Sequence, residues 1–281
     1  MRIVESPHDM QRICESLRLA KETIGFVPTM GAFHDGHVSL IRAARESCSQ
    51  VVVSLFVNPT QFGPGEDLTK YPRMSEQDAS LAEKAGVDFL FAPTEEMMYP
   101  KGYVTFVEVE RLTKVLCGAS RPTHFRGVTT VVAKLFNIVK PHKAFFGQKD
   151  AQQTLVIRKM VEDLNMGIEI VEMPIVREPD GLAMSSRNRY LSLEERKEAL
   201  VLYRSLTEAQ RLIDNGERDA RRIIESIERT IRAAPHAQLD YVEVVDAWTL
   251  EQLRELKGEC LIALAVRIGT TRLIDNTKVN V

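Results

Sequence analysis

The sequence predicts an α/β chain. A Rossmann-like, mainly parallel sheet domain is expected over residues 1–177, followed by a smaller α+β domain over residues 178–281. Three observations carry this reading. Apolar strand-like runs alternate with helical periodicity through the first part of the chain, the pattern of a parallel sheet with helical crossovers. The polar, glycine-bearing motifs each follow the end of such a run, where open α/β sheets place their ligands. After about Glu178 the order changes to two long charged helical stretches and then further strand-like runs.

In chain order, strands are expected near residues 23–27, 50–57, 88–91, 143–146 and 168–172, and helices near 36–48, 74–85, 126–139 and 150–163. The strand runs are short and bounded by turn residues. The helical runs repeat apolar residues at three- and four-residue spacing, as Val38, Ile41, Ala44 and Cys48 do. Residues 102–109 alternate and read as a small antiparallel addition. In the second part, helices are expected near 192–215 and 218–234 and strands at 239–245 and 260–268. Arg221, Arg222 and Arg229 are interleaved with Glu225 and Glu228 on these helices, which describes solvated faces rather than an RNA-binding surface.

Composition narrows the function classes. With 281 residues and 44% hydrophobic residues the chain can bury one large core or two smaller ones. A net charge of -2 supplies no field to hold nucleic acid or an anionic membrane, and no apolar run reaches the length of a bilayer span. Small molecules are the expected partners. Cys14, Cys48, Cys117 and Cys260 are scattered without a C-x-x-C pair, and the first residues form no apolar signal segment. Reduced thiols and a cytoplasmic location follow as expectations.

The most informative motif is His34-Asp35-Gly36-His37, which follows the run at 23–27 and the turn Pro28-Thr29-Met30-Gly31 and opens a helix. A helix N-terminus offers unpaired amides and positive dipole charge to a phosphate, and Gly31 and Gly36 permit close backbone approach. Two imidazoles add donors for charge building on phosphorus, a contribution of about 3 to 4 kcal/mol per donor where measured. Gly31 and Gly36 match the glycines of a Walker loop, but His37 and Val38 stand where its lysine and hydroxyl belong. Attack at the α-phosphorus with pyrophosphate leaving fits this turn better than kinase chemistry. Taken alone, a His-x-x-His pair is more often a surface turn or a weak metal pair; the strand-to-helix context decides against that here.

Two more motifs repeat the device. In Gly147-Gln148-Lys149-Asp150, Lys149 can reach a phosphate and Asp150 can accept hydrogen bonds from ribose hydroxyls, although an ordinary helix cap would use the same residues. In Met184-Ser185-Ser186-Arg187, beyond the turn Pro179-Asp180-Gly181, two hydroxyls and a guanidinium suit a triphosphate. A loop in that position can close over a bound nucleotide. Asn58-Pro59-Thr60-Gln61 follows the run at 50–57, and Asn58, Gln61 and the later Gln153 offer neutral donors and acceptors to a small polar acceptor.

The paired His-x-Gly-His and Ser-Ser-Arg motifs resemble the signatures of the class I aminoacyl-tRNA synthetase and nucleotidylyltransferase superfamily. A closer resemblance, running almost end to end, is to the pantoate–beta-alanine ligase family. It rests on Pro28 through His37, Phe56 through Pro64, Tyr71-Pro72-Arg73, His124-Phe125-Arg126-Gly127-Val128-Thr129-Thr130-Val131-Val132, Phe145 through Gln153 and Met184 through Arg189. Tyr241-Val242-Glu243-Val244-Val245 and Leu273-Ile274-Asp275-Asn276 resemble that family's small C-terminal domain, a lid.

The resemblance implies a pantoyl adenylate formed from ATP and captured by beta-alanine, with magnesium accompanying ATP and a homodimeric assembly. By matching position, ATP would be held by Met30, Gly31, Ala32, Phe33, His34, Asp35, Gly36 and His37. Gly147, Gln148, Lys149, Asp150, Val176, Met184, Ser185, Ser186 and Arg187 would complete the nucleotide site. His37, His34, Lys149 and Arg187 would act in catalysis; the family assigns His37 as proton donor, whereas its chemistry here favours electrostatic stabilisation. Gln61, Gln153 and Asn58 would bind pantoate and beta-alanine, and Asp78 is a weak metal candidate in an acidic patch interrupted by Gln77. Departures are small: Gln148 where glutamate is common, Ala151 where an aromatic residue is frequent, and Phe33 for leucine or tyrosine. Two other readings compete, a nucleotidylyltransferase that stops after adenylylating a phosphate-bearing substrate, and a nucleotide-sensing module without catalysis.

Overall fold

The computed structural model describes residues 1–72 and 75–281, with the backbone alone for Ser75. Arg73, which closes the Tyr71-Pro72-Arg73 motif, and Met74, where the second expected helix begins, lie outside the described residues. The chain forms two compact units. The first comprises Met1–Thr113, Arg121–Gln148 and Gln153–Pro174, and the second Lys114–Ser120, Lys149–Gln152 and Ile175–Val281.

The first unit is built on six strands: β1 (Arg2–Val4), β2 (Ile24–Thr29), β3 (Gln50–Leu55), β4 (Phe89–Phe91), β5 (Lys143–Gly147) and β6 (Glu169–Met173). Its principal helices are α1 (Pro7–Leu19), α2 (Asp35–Ser47), α3 (Ser75–Lys84), α4 (Glu95–Met98), α6 (His124–Val139) and α7 (Ala151–Asp163), with α5 (Cys117–Ser120) assigned to the second unit. The strands run parallel in the order β1-β4-β3-β2-β5-β6. Val51, Val52 and Val53 are all buried, as a strand covered on both faces requires. Val27, Ile41, Val53, Leu90 and Phe145 form part of one core cluster.

The predicted parallel α/β architecture is thus present, with β1, α1 and the short α4 added to it. β1 is a three-residue edge strand with only Val4 buried, too short to show periodicity. α1 begins at Ser6, whose side chain accepts from the Asp9 amide, with Pro7 in the first turn. One expectation fails: residues 102–109 form no strand within the chain. The Val107 amide donates to Thr130 Oγ1 at 3.0 Å and its carbonyl accepts from Thr129 Oγ1 at 2.6 Å, so α6 side chains stand where a strand partner would be.

Strand order sets the location of ligands in this unit. β2 pairs with β3 on one side and with β5 on the other, so the crossover after β2 leads to β3 and the one after β5 leads to β6 in the opposite direction. Such a switch point opens a crevice at the carboxyl ends of the strands, where the chain enters the turns after β2 and β5.

In the second unit, β7 (Ala237–Asp246), β8 (Glu259–Ile268) and β9 (Thr271–Asn280) form an antiparallel meander, preceded by α8 (Leu193–Glu198), α9 (Leu200–Asp214) and α10 (Ala220–Arg232). Leu202, Leu206, Ile223, Ile227, Ile262 and Leu264 belong to its core. The single helix expected near 192–215 is two, divided at Ala199. β9 escapes a hydropathy reading because Asp275 and Asn276, both buried, interrupt its apolar alternation. Among the described residues no helix is long and apolar enough to cross a membrane.

Candidate active site

At the end of β2 the chain turns through Gly31 (φ +87°) and Ala32 (φ +55°) before entering α2. His34 is the N-cap of α2; its Nδ1 accepts from the Gly36 amide at 3.2 Å, and His37 Nδ1 accepts from the His34 amide at 3.3 Å. This is a capping box made of two imidazoles. Each ring accepts through Nδ1, so its neutral form carries the proton on Nε2. The rings lie 4.2 Å apart between centroids, and Phe33 packs on His37 at 5.4 Å.

Asp78 anchors this turn. Its side chain is buried, and its two carboxylate oxygens accept from the Ala32 amide at 2.8 Å and the Phe33 amide at 2.7 Å. The left-handed Ala32 conformation, unfavourable for a residue with a Cβ, is held by this pair of charge-assisted bonds. A Cβ on Gly31 would lie 3.0 Å from Asp78 Oδ2, so the glycine is also needed for space.

At the end of β3, Asn58 caps the 3-10 turn Pro59–Gln61. The buried Asn58 side chain accepts from Tyr99 Oη at 2.8 Å and Thr60 Oγ1 at 2.9 Å, and donates to Gln61 Oε1 and the Gly127 carbonyl, each at 3.1 Å. Gln61 Nε2 donates to Met30 Sδ at 2.9 Å, so the turn after β3 touches the turn after β2. The Gln61 carbonyl accepts from His124 Nδ1 at 2.9 Å and Arg121 Nη2 at 3.2 Å. Arg121 is itself paired with Glu66, Nε to Oε1 at 2.7 Å. Burial pushes the Glu66 carboxyl up, but hydrogen bonding and charge from Arg121 outweigh it and leave Glu66 below its ordinary value. Burial also drives the Tyr99 hydroxyl up to about 12, so it remains a neutral donor to Asn58 at physiological pH.

Gly127 explains how α6 fits against this turn: a Cβ there would fall 2.3 Å from the Thr60 carbonyl oxygen. Nothing in the individual chemistry of Tyr99, Arg121, His124, Glu66 and Gly127 marks them in the sequence as site residues. Only the run His124 through Val132 stands out there, by its family resemblance.

Of the remaining candidates, Gly147 closes β5, and Gln148 and Gln153 also belong to the first unit. Lys149, Asp150, Val176 and Met184, Ser185, Ser186 and Arg187 belong to the second. There Lys149 Nζ lies 3.8 Å from Asp150 Oδ2, and the Lys149 carbonyl accepts from Asn276 Nδ2 at 3.0 Å. The Met184 amide donates to the Val176 carbonyl at 3.0 Å, and Ser185 Oγ accepts from the Arg187 amide at 3.3 Å.

The turn leading to Ser185 is fastened rather than loose. Arg177 forms paired hydrogen bonds with buried Asp275 at 2.7 and 2.9 Å and also donates to the Gly181 carbonyl. Arg196 bonds Glu178 and Asp180 across the same turn. Hydrogen bonding from Arg196 leads the causes that hold the Asp180 carboxyl below its ordinary value.

Comparison with known proteins adds an independent finding. A family model described as pantoate-beta-alanine ligase matches residues 2–278. The pantothenate synthetase of Heliobacterium modesticaldum is 61% identical over 281 residues, covering 100% of both chains. The crystal structure of pantothenate synthetase from Thermus thermophilus superposes with a TM-score of 0.94 at 47% identity, covering 99% of each chain. A Francisella tularensis pantoate-beta-alanine ligase structure, complexed with beta-gamma ATP and beta-alanine, has a TM-score of 0.81 at 36% identity, covering 99% of this chain and 97% of that one. A match of this extent leaves no segment of the chain outside the alignment large enough to be a separate module, and this chain belongs to the pantoate-beta-alanine ligase family.

Proposed function

We infer that this chain is an ATP-dependent carboxylic acid–amine ligase that condenses (R)-pantoate with beta-alanine to give pantothenate, AMP and pyrophosphate. The observation that carries the inference is the two-imidazole capping box at the carboxyl end of β2, in a chain matched over its whole length by relatives of that activity. A pantoate carboxylate oxygen attacks the α-phosphorus, and the bond from that phosphorus to the bridging oxygen of pyrophosphate breaks. The free amine of beta-alanine then attacks the acyl carbon of the adenylate; the bond to AMP breaks, and the amine loses a proton as the amide forms.

Residue roles in this reading are proposals. Met30, Gly31, Ala32, Phe33, His34, Asp35, Gly36 and His37 bind ATP from the first unit, with Gly147 and Gln148. Lys149, Asp150, Val176, Met184, Ser185, Ser186 and Arg187 bind it from the second. The Nε2 proton favoured for neutral His34 and His37 supports a role as donors to phosphate oxygens, which needs no proton transfer. Lys149 and Arg187 supply positive charge for the phosphates of ATP. Gln61, Gln153 and Asn58 bind pantoate, and Gln61 also faces beta-alanine.

Magnesium enters with ATP, where it offsets charge on the triphosphate. Both Asp78 oxygens are engaged by backbone amides, so the loop anchor is the role we assign to that residue. The relative captured with beta-gamma ATP and beta-alanine supports the choice of substrates. A cytoplasmic homodimer without nucleic-acid or membrane partners completes the proposal.

The test is product analysis. ATP, pantoate and beta-alanine should yield AMP and pantothenate in equal amounts. Turnover of a phosphorylated acceptor, with no product from pantoate, would favour a nucleotidylyltransferase. ATP binding with no pyrophosphate release would favour a sensor.

A further inference from the structure

Asp275 and Asn276 stand side by side in the middle of β9, both buried, and the chemistry above uses neither. Successive residues of a strand point to opposite faces of its sheet. The register sets Asp275 beside Leu264 of β8 and Asn276 beside Ala263. Leu264 lies in the core shared with α9 and α10, so Asp275 points toward that helical layer and Asn276 away from it.

Each of the two holds a different segment of the second unit. On the helical face, Asp275 takes the Arg177 guanidinium in hydrogen bonds of 2.7 and 2.9 Å, and Arg177 Nη1 also donates to the Gly181 carbonyl at 3.0 Å. Arg177 and Gly181 belong to a hairpin over residues 176–184, closed by the Met184 amide on the Val176 carbonyl and by a bridge between Arg177 and Ala183. The hairpin is pressed on α9: the guanidinium lies 4.8 Å from the Tyr203 ring centre, and a Cβ on Gly181 would fall 2.1 Å from the same ring. Ser185, Ser186 and Arg187 follow directly in the chain. On the other face, Asn276 Nδ2 donates to the Lys149 carbonyl at 3.0 Å. The two holds meet at one atom, because Asp275 Oδ1 accepts from both Arg177 Nη2 and the Asn276 amide, the latter at 2.8 Å.

Stability alone does not call for this arrangement. A buried ion pair often stabilises a fold no more than packed carbon of similar volume. A paired guanidinium–carboxylate contact does fix distance and orientation together. We propose that Asp275 and Asn276 are positioning residues for ATP: β9 is a spacer that holds the Lys149 segment from one face and the hairpin leading to residues 184–187 from the other, so that Lys149 and Arg187 are set at the separation one triphosphate spans. The proposal rests on the nucleotide roles given above for Lys149 and Arg187. Segments fixed before ATP arrives need less ordering on binding, and their cations are already in place when charge grows at phosphorus.

A double-mutant cycle in the full chain, read by pyrophosphate release, tests this. Asn276→Ala should lower kcat/KM for ATP about tenfold and leave the pantoate KM within about twofold of wild type. In a Lys149→Ala chain the same change should lower kcat/KM less than about twofold, because the group it positions is gone. Arg177→Met should behave in the same way and lose its effect in an Arg187→Ala chain. Arg177→Lys, which keeps the charge, should recover part of the loss. Instability alone does not imitate the cycle, since a smaller folded fraction lowers the rate alike in both backgrounds. Asn276→Leu, close in volume and without a donor, is the second variant should the alanine chain not fold.

Wild-type kcat/KM for ATP in a folded Asn276→Ala or Asn276→Leu chain overturns the proposal, and so does a loss of the same size with Lys149 present or absent. An equal rise in KM for both substrates overturns it as well, because it marks a general disturbance. A Lys149→Ala or Arg187→Ala chain as active as wild type overturns instead the nucleotide roles beneath it.

Discussion

Asp78→Asn is the most direct way to ask whether the turn before α2 must be held from outside. The substitution keeps the shape of the side chain and replaces one acceptor oxygen with an NH2 group. Both oxygens are in use, at 2.8 Å from the Ala32 amide and 2.7 Å from the Phe33 amide. Whichever way the new amide is oriented, one backbone donor faces another donor. A hydrogen bond to a charged acceptor contributes about 1.5 to 3 kcal/mol, and a buried donor left unpaired adds a penalty of similar size, so a loss of about 3 to 6 kcal/mol is expected. With Asp78 only 1% exposed, water cannot replace the lost partner. Ala32 would then be free to leave its left-handed conformation, and the entry to His34 would shift with it.

Two measurements read this out: the urea midpoint, and the single-turnover rate of pyrophosphate release from ATP and pantoate. Both should fall, and Ala32→Gly in the same chain should recover part of the stability, since glycine adopts the turn without strain. An Asp78→Asn protein with wild-type midpoint and adenylation rate would refute the argument. Equal damage from Asp78→Asn and from a remote substitution of the same stability loss would show that the rate follows stability rather than the turn.

Three further outcomes are expected. His37→Ala should slow adenylate formation by about a hundredfold or more while ATP affinity changes little, as measured by pyrophosphate burst and equilibrium binding; equal losses would place its role in ground-state binding. Gly127→Ala puts a Cβ 2.3 Å from the Thr60 oxygen, so the turn Pro59–Gln61 must move, lowering stability by about 1 to 3 kcal/mol and raising the pantoate KM. His236 should titrate above its ordinary 6.5, because its hydrogen bond to Glu198 favours the imidazolium; the stabilising pairing is complete below that ordinary value and fades as pH rises through the raised one. Glu198→Gln should return the NMR-detected titration toward 6.5, and no change would show the pair to be unformed in solution.

The sheet is readable in the sequence because β3 and β5 are buried on both faces and must be continuously apolar, as Val51-Val52-Val53 and Ala144-Phe145-Phe146 are. β9 is not, because two of its buried positions are the polar Asp275 and Asn276, and Asp275 is matched by Arg177, ninety-eight residues away along the chain. Periodicity registers burial of carbon and is blind to burial of a satisfied ion pair. The site divides in the same way. His34 and His37 announce themselves because one turn of helix suffices to bring them together.

Asp78 and Tyr99 do not, since their work is done on partners forty or more residues away and neither is followed by a glycine or preceded by a strand-like run ending in a polar motif. Residues 102–109 are the instructive failure. Their alternation is a true record of one face turned inward and one outward, and it misleads only about the partner: the inward face is tied to Thr129 and Thr130, not to a strand of the same sheet. A period of two therefore establishes that a segment has two faces with different surroundings. What fills the second face has to come from outside the segment: Arg126 lies over the Phe106 ring at 3.8 Å, while Val104 is left to solvent.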